Sequence, residues 1–123
     1  MSQEWETTAR SGTPCEGWWE EIGFGRQPMQ NLRLRFQGHR VVGSGSDIVG
    51  PFSLVGTISA GGQVAMVKRY LGQHSVDYLG TYDGEGTMWG EWWIGSVHDR
   101  WMIKITRPLR SSVPQVPDAE VIA

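Results

Sequence analysis

The sequence predicts an all-β chain folded as an eight-stranded antiparallel up-and-down β-barrel, and three observations carry that prediction. Apolar and polar residues alternate with a period of two in one run after another, the signature of strands with one buried face. The runs are divided by turn signals too short to hold a crossover helix. No stretch shows helical periodicity of useful length. Strands linked only by hairpins form a meander, and roughly eight of them close around an interior that holds side chains or one small ligand.

Taken in order, the strands are expected at 16–25, 29–37, 39–46, 51–59, 63–71, 74–83, 86–94 and 100–107. The connectors are Gln27-Pro28, Gly38, Asp47 to Gly50, Ala60-Gly61-Gly62, Gly72-Gln73, Gly84-Glu85 and Gly95 to Asp99. Residues 1–14 read as a flexible polar arm, with Trp5 as an indole in search of a surface. Residues 15–107 form the single barrel domain, and 108–123, with Pro114 and Pro117, an extended or disordered tail.

The phase of the alternation separates two faces between Gly62 and Ile105. Val64, Met66, Lys68, Tyr70, Val76, Tyr78, Gly80, Tyr82, Met88, Gly90, Trp92, Ile94, Trp101, Ile103 and Ile105 fall on one side, with a single charge among them. Arg69, Asp77, Glu91, Arg100 and Lys104 fall on the other, so the first set is assigned to the interior. A symmetric hairpin at Gly72-Gln73-His74 places Lys68 opposite Tyr78 and Arg69 opposite Asp77. The next turns place Tyr78 opposite Trp92, Gly80 opposite Gly90, Trp92 by Ile103 and Glu91 by Lys104. The inner row then reads Leu54, Lys68, Tyr78, Trp92, Ile103, an aromatic belt with one ammonium. Inward Gly56, Gly80 and Gly90 permit the tight coiling that closure requires.

Bulk properties exclude several function classes. The 123 residues suit one domain with an ample core. A net charge of -2 and the absence of a basic run leave no footprint for nucleic acid or an anionic membrane. No stretch approaches the roughly 20 apolar residues of a spanning helix, and the polar start carries no apolar signal region, so the expected location is the cytoplasm. The lone Cys15 rules out an internal disulfide framework and a cysteine-based metal cluster.

Strand number and connectivity over about residues 16–107 resemble the calycin-type barrels, which include lipocalins, fatty-acid-binding proteins and avidins. Gly17-Trp18-Trp19 is similar to the lipocalin Gly-x-Trp at the start of the first strand. The resemblance implies that Trp19 closes one barrel end against a basic residue of the last strand, here Arg100, Lys104 or Arg107. Gly17 to Gly25 also resembles the Gly-x-Trp-x-Gly-x-Gly opening of nitrobindin-type haem barrels, from which Glu20-Glu21 departs. No set of residues resembles the biotin contacts of the avidins.

Few residues invite chemistry. The glycine-rich stretch Val42 to Pro51 lacks the following helix that a phosphate cradle needs, so it reads as a strand-turn-strand corner with Asp47 capping the turn. The turns holding Asp47, His74 and His98-Asp99 should share one barrel mouth. Two imidazoles and a carboxylate there could hold a metal or a haem, yet no spacing fixes ligand geometry, and no cofactor is implied. Lys68 is the sharper candidate. An inward ammonium must be paired, and it suits a structural contact to Glu20 or a tyrosine hydroxyl, an anionic ligand group, or chemistry with a carbonyl. Glu20 and Glu21 are neighbours on opposite strand faces, which supports no paired-carboxylate mechanism.

The leading expectation is therefore non-enzymatic binding of a small apolar or carboxylate-bearing molecule inside the barrel. Lys68 and Tyr78 would anchor it, with Phe52, Leu54, Met66, Trp92 and Ile103 as walls. The outer face offers an alternative. Val55, Val67 and Leu79 should form an apolar row continued by Trp89, Trp93 and Met102, a patch fit for a homodimer or higher oligomer. The alternative is thus a structural or oligomerisation module whose interior is filled and which acts through this patch; the remaining one is a lyase- or isomerase-type enzyme that uses Lys68.

Overall fold

Every second connector turns the chain at the same end of a sheet, and the sheet closes on itself. The computed structural model describes residues 12–106. Its strands are β1 (Thr13–Glu21), β2 (Gly25–Gln37), β3 (Arg40–Ser46), β4 (Pro51–Ile58), β5 (Gln63–Tyr70), β6 (Ser75–Tyr82), β7 (Thr87–Ile94) and β8 (Val97–Ile105). Each pairs antiparallel with its neighbour in sequence, and β8 pairs with β1, giving a closed up-and-down barrel. Residues 12–14 of the expected arm lead into or belong to β1. Trp5 and the rest of the arm, Arg107 and the tail lie outside the described residues.

The first hairpin departs from expectation. Instead of turning at Gln27-Pro28, the chain turns at Ile22 to Phe24, where the Phe24 amide donates to the Glu21 carbonyl. Gly23 and Gly25, at φ of 82° and 90°, supply the left-handed backbone this turn needs. Pro28 is tolerated inside β2 because it lies opposite Trp18 of β1, beyond the last rung to β3 at Gln30. On that side no partner requires its missing amide proton.

β2 carries one further irregularity. Cys15 faces Leu32 and Gly17 faces Met29, so β2 holds one residue more than β1 across this interval. Asn31 absorbs it at a φ of 54°, a left-handed conformation that asparagine tolerates. The bulge resets the alternation, and both Met29 and Leu32 reach the interior.

Inward and outward faces between β5 and β8 follow the expected alternation, whereas two registers do not. Lys68 lies opposite Val76, not Tyr78, and Asp77 opposite Val67, not Arg69. The turn is centred on Gly72, whose φ of 72° fixes the apex one residue earlier than a symmetric Gly72-Gln73-His74 turn. Trp92 lies opposite Asp99 and Glu91 opposite Arg100, because Gly95 and Ser96 alone connect β7 to β8. Met88, not Trp92, faces Ile103, and Lys104 faces Thr87. Leu54–Lys68, Tyr78–Trp92 and Gly80–Gly90 are paired as expected. The interior row is thus two shorter rows, Leu54–Lys68–Val76 and Met66–Tyr78–Trp92.

The glycine pair has a specific task. Trp101 on β8 lies opposite Gly90, and its indole Nε1 donates at 3.2 Å to the Leu79 carbonyl, two strands away on β6. An indole spans that distance only if the intervening positions carry no side chain. A Cβ on Gly90 would collide with the Leu79 carbonyl oxygen and the Gly80 Cα, and one on Gly80 with the Trp89 carbonyl oxygen. Trp101 is accordingly one of the most buried side chains. We expect Gly80→Ala and Gly90→Ala each to destabilise the barrel by about 1–3 kcal/mol, the usual cost of overpacking, as read from urea unfolding midpoints.

Candidate functional site

The corner between β3 and β4 sets up the site. The Asp47 amide donates to the Gly50 carbonyl, and the Val49 amide donates at 2.9 Å to Asp47 Oδ1, which closes an Asx turn. The other carboxylate oxygen points into the barrel. Asp47 Oδ2 accepts from Lys68 Nζ at 2.7 Å, from the Tyr70 hydroxyl at 2.7 Å and from Trp19 Nε1 at 3.0 Å. One residue thus caps a turn with one oxygen and binds three inward donors from β1 and β5 with the other.

Lys68 is fully enclosed. Its side chain and that of Asp47 are both 0% exposed. The ammonium also donates to the Tyr78 hydroxyl at 3.2 Å. Its Nζ lies 4.2 Å from the ring centroid of Phe52, 4.9 Å from Tyr70, 5.3 Å from Tyr78 and 5.6 Å from Trp19. A cation among ring faces gains quadrupole attraction as well as its ion pair. Burial pushes the lysine down to about 8, against the hydrogen bond and charge of Asp47, which hold it up. Burial would raise the Asp47 carboxyl, but the bond and charge of Lys68 outweigh it, so Asp47 sits below the usual range and the pair is ionised near neutrality. Burial, joined by the negative Asp47, drives the Tyr70 and Tyr78 phenols upward, so both keep their protons.

Beside this cluster, a cavity of about 200 Å³ opens at the mouth formed by the hairpins after β1, β3, β5 and β7. Trp19, Tyr70, Tyr78 and Trp92 are its aromatic walls, Val49, Val76 and Ile94 its aliphatic ones, and Glu21 and His74 complete the lining. Trp19 stacks on Phe24 and meets Trp92 edge to face, with centroids 6.3 and 6.2 Å away. The Trp92 indole is fixed by donating at 2.8 Å to the Glu20 carbonyl. Of the expected ligand residues, Tyr78 and Trp92 line this cavity. Lys68 lies beneath it, held by Asp47, while Phe52, Leu54, Met66 and Ile103 are packed in the core.

Several sequence readings shift. Glu20 does not turn inward to Lys68. Adjacent to inward Trp19, it points outward and bridges Arg26 and Arg100 at 2.6 and 2.8 Å. Trp19 lies at one barrel mouth, where it lines the cavity, and the cation near its ring is Lys68 of β5 rather than a residue of the last strand. His98 stacks on Trp93 at 4.0 Å, away from His74 at the mouth. Among the described residues, no three His, Cys, Asp or Glu side chains are grouped to hold a metal ion. Asp47 is the residue that a turn-cap reading undervalues. Its parity was the available signal, since Val41, Gly43, Gly45 and Asp47 continue one face of β3 into the corner.

On the outer face, Val55 lies opposite Val67, with Leu79 diagonal to Val67 because it pairs with Ala65. Trp89 faces Met102, which in turn faces Trp18. Val55, Val67, Leu79 and Trp89 are between 38% and 47% exposed, and Trp93 and Met102 are half-buried.

The buried pair makes a signed pH prediction. In the unfolded chain Lys68 keeps its proton to 10.5, whereas in the barrel it loses it near 8, so the unfolded state binds more protons between these values. Stability should therefore rise with pH above 8 and level off from about 9, where the unfolded Cys15 thiol ionises while burial holds the folded one up to about 12, and near 10 unfolded tyrosines add to the opposition because folded Tyr70 and Tyr78 keep their protons. Urea midpoints from pH 7 to 10 should show this rise in the native chain and lose it in Lys68→Met. Asp47→Asn, which leaves the ammonium unpaired, should cost about 3–5 kcal/mol at pH 7.

Compared with protein families, with curated proteins and with solved structures, the chain finds no match.

Proposed function

We propose that this protein binds a small, largely apolar molecule without chemical conversion, at the mouth of the barrel rather than deep inside it. The observation that carries this reading is the cavity of about 200 Å³ framed by four aromatic rings. Small-molecule sites are concave, predominantly apolar and furnished with few polar groups, and barrel mouths are a recurrent place for them. A volume below the roughly 300 Å³ of drug-sized pockets suits a molecule of one or two rings. An apolar cavity of about 150 Å³ already accepts benzene.

The ring orientations favour preorganisation. Trp19, Tyr70 and Trp92 are each pinned by a hydrogen bond, so little side-chain freedom remains to be lost on binding. The pairing of Lys68 with Asp47 neutralises the cation that a carboxylate ligand would have met, and it ties up the amine that carbonyl chemistry would require. A closed barrel with a tryptophan at one end is also consistent with a calycin-type binding protein.

The test is protein-observed NMR with one- and two-ring probes: cumene, acetophenone and indole. Binding should shift the amides of Val49, His74 and Val76 and the indole resonance of Trp92, and leave those of Gly38 and Gly84 at the opposite mouth in place. Val76→Phe, which grows into the cavity, should weaken binding by about tenfold or more. Probes that perturb only the opposite mouth, or nothing, would overturn the reading.

The outer face favours a second activity, self-association. Four half-exposed apolar side chains spread over β4 to β7 exceed the scattered singles of a wet surface. Sedimentation at micromolar concentration should give a dimer that Trp89→Lys converts to a monomer; a monomeric native chain would dismiss it.

A further inference from the structure

The aromatic wall of the mouth cavity carries four side-chain N–H or O–H groups, and three are already committed. Trp19 Nε1 and the Tyr70 hydroxyl donate to Asp47 Oδ2, and Trp92 Nε1 donates to the Glu20 carbonyl. The fourth is different. The Tyr78 oxygen accepts from Lys68 Nζ at 3.2 Å, and among the described residues its own proton has no acceptor. Tyr78 lines the cavity but is only 1% exposed, so solvent serves that proton poorly. A buried donor without a partner is unfavourable, and a ligand acceptor placed beside Tyr78 relieves it.

Charge narrows the class of ligand. Lys68 and Asp47 form a neutral unit, and the nearest further charge on the cavity is Glu21 at the rim. An anion entering here would meet two carboxylates and one cation already paired, in a poorly solvated space. A neutral acceptor meets no such opposition. It also gains from polarisation, because a phenol that accepts from an ammonium is a stronger donor through its own proton.

Resting on the reading of this cavity as a binding site, we propose that it selects neutral aromatic molecules carrying one strong hydrogen-bond acceptor, a carbonyl oxygen above all, which takes the free proton of Tyr78. The apolar walls hold the ring and the hydroxyl sets its direction. The selectivity runs against carboxylates of the same shape.

Three probes of nearly equal size separate these features: acetophenone (neutral, with a carbonyl), cumene (neutral, without an acceptor) and benzoate (anionic). Dissociation constants come from NMR titration of the native chain at pH 7, followed at Val49, Val76 and the Trp92 indole. Acetophenone should bind about tenfold more tightly than cumene and benzoate, the factor a satisfied buried donor supplies. In Tyr78→Phe the advantage of acetophenone over cumene should vanish. If acetophenone and cumene bind the mouth equally, the acceptor inference falls and the binding reading stands. If benzoate binds best, the charge argument falls with it. If no probe moves the mouth resonances, the binding reading itself falls. The comparison among probes in the native chain decides the matter even where the variant fails to fold.

Discussion

A charged amine inside a small barrel has to be matched, and the surroundings of the cavity depend on how this one is. Lys68 is placed by its parity on β5, and the chain has no choice of face for it once Met66 and Tyr70 are turned inward. Left alone, the ammonium would be too costly to bury. Asp47 reaches it from the corner between β3 and β4, and the same carboxylate collects Trp19 from β1 and Tyr70 from β5. Breaking such a pair is far more damaging than never having built it. The corner, the first strand and the fifth are therefore tied at one oxygen, and Trp19 is fixed where it shapes the mouth against Phe24 and Trp92.

The faces of the strands were legible in the sequence; their registers were less so. The β5–β6 and β7–β8 turns lie one and two residues from where symmetric connections would put them, and each displacement moves the pairing by an even number of residues. An even shift preserves parity, so every side chain keeps its side while its neighbour changes. That is why Val64, Met66, Tyr78 and Ile103 are buried as expected, although Ile103 faces Met88 rather than Trp92. Turn geometry decides such matters, and glycines at positive φ, Gly72 and Gly95 among them, mark where the apices fall. In β2 the pattern itself breaks at Asn31, and there no strict alternation could have located both Met29 and Leu32 inside.

The identity of the counterion was the harder inference. The sequence offers Glu20 or a tyrosine hydroxyl to Lys68, and local chemistry argues for Asp47 as a turn cap. It is one, through Oδ1, and that role did not exhaust it. A carboxylate has two oxygens with several lone pairs, so capping and ion pairing do not compete. Glu20, one residue beyond inward Trp19, is delivered to the outside, where Arg26 and Arg100 hold its carboxyl below the usual range, the hydrogen bond from Arg26 foremost. The metal reading lost ground for the same reason of placement. His98 lies in β8 against Trp93, which its position in an expected loop did not disclose.

The two ends of the barrel are built differently. Across its middle, Trp101 lies over the glycine pair of β6 and β7, and Tyr78 packs against it with centroids 5.1 Å apart. Toward the far mouth, Phe36 stacks on Tyr82, and a wider, more open depression of about 430 Å³ lies among the turns at Gly38, Gly61 and Gly84. The near mouth is built otherwise, with rings held apart by hydrogen bonds to Asp47 and to the Glu20 carbonyl instead of collapsing onto one another. Apolar side chains left to themselves close such a space, because contact is what apolar surface gains most from. The polar cluster opposes that collapse by fixing where three of the four rings point. The buried ion pair thus does more than satisfy a lysine: it fixes the rings that frame the near mouth, and it touches the hydroxyl of Tyr78, whose ring lines the cavity there.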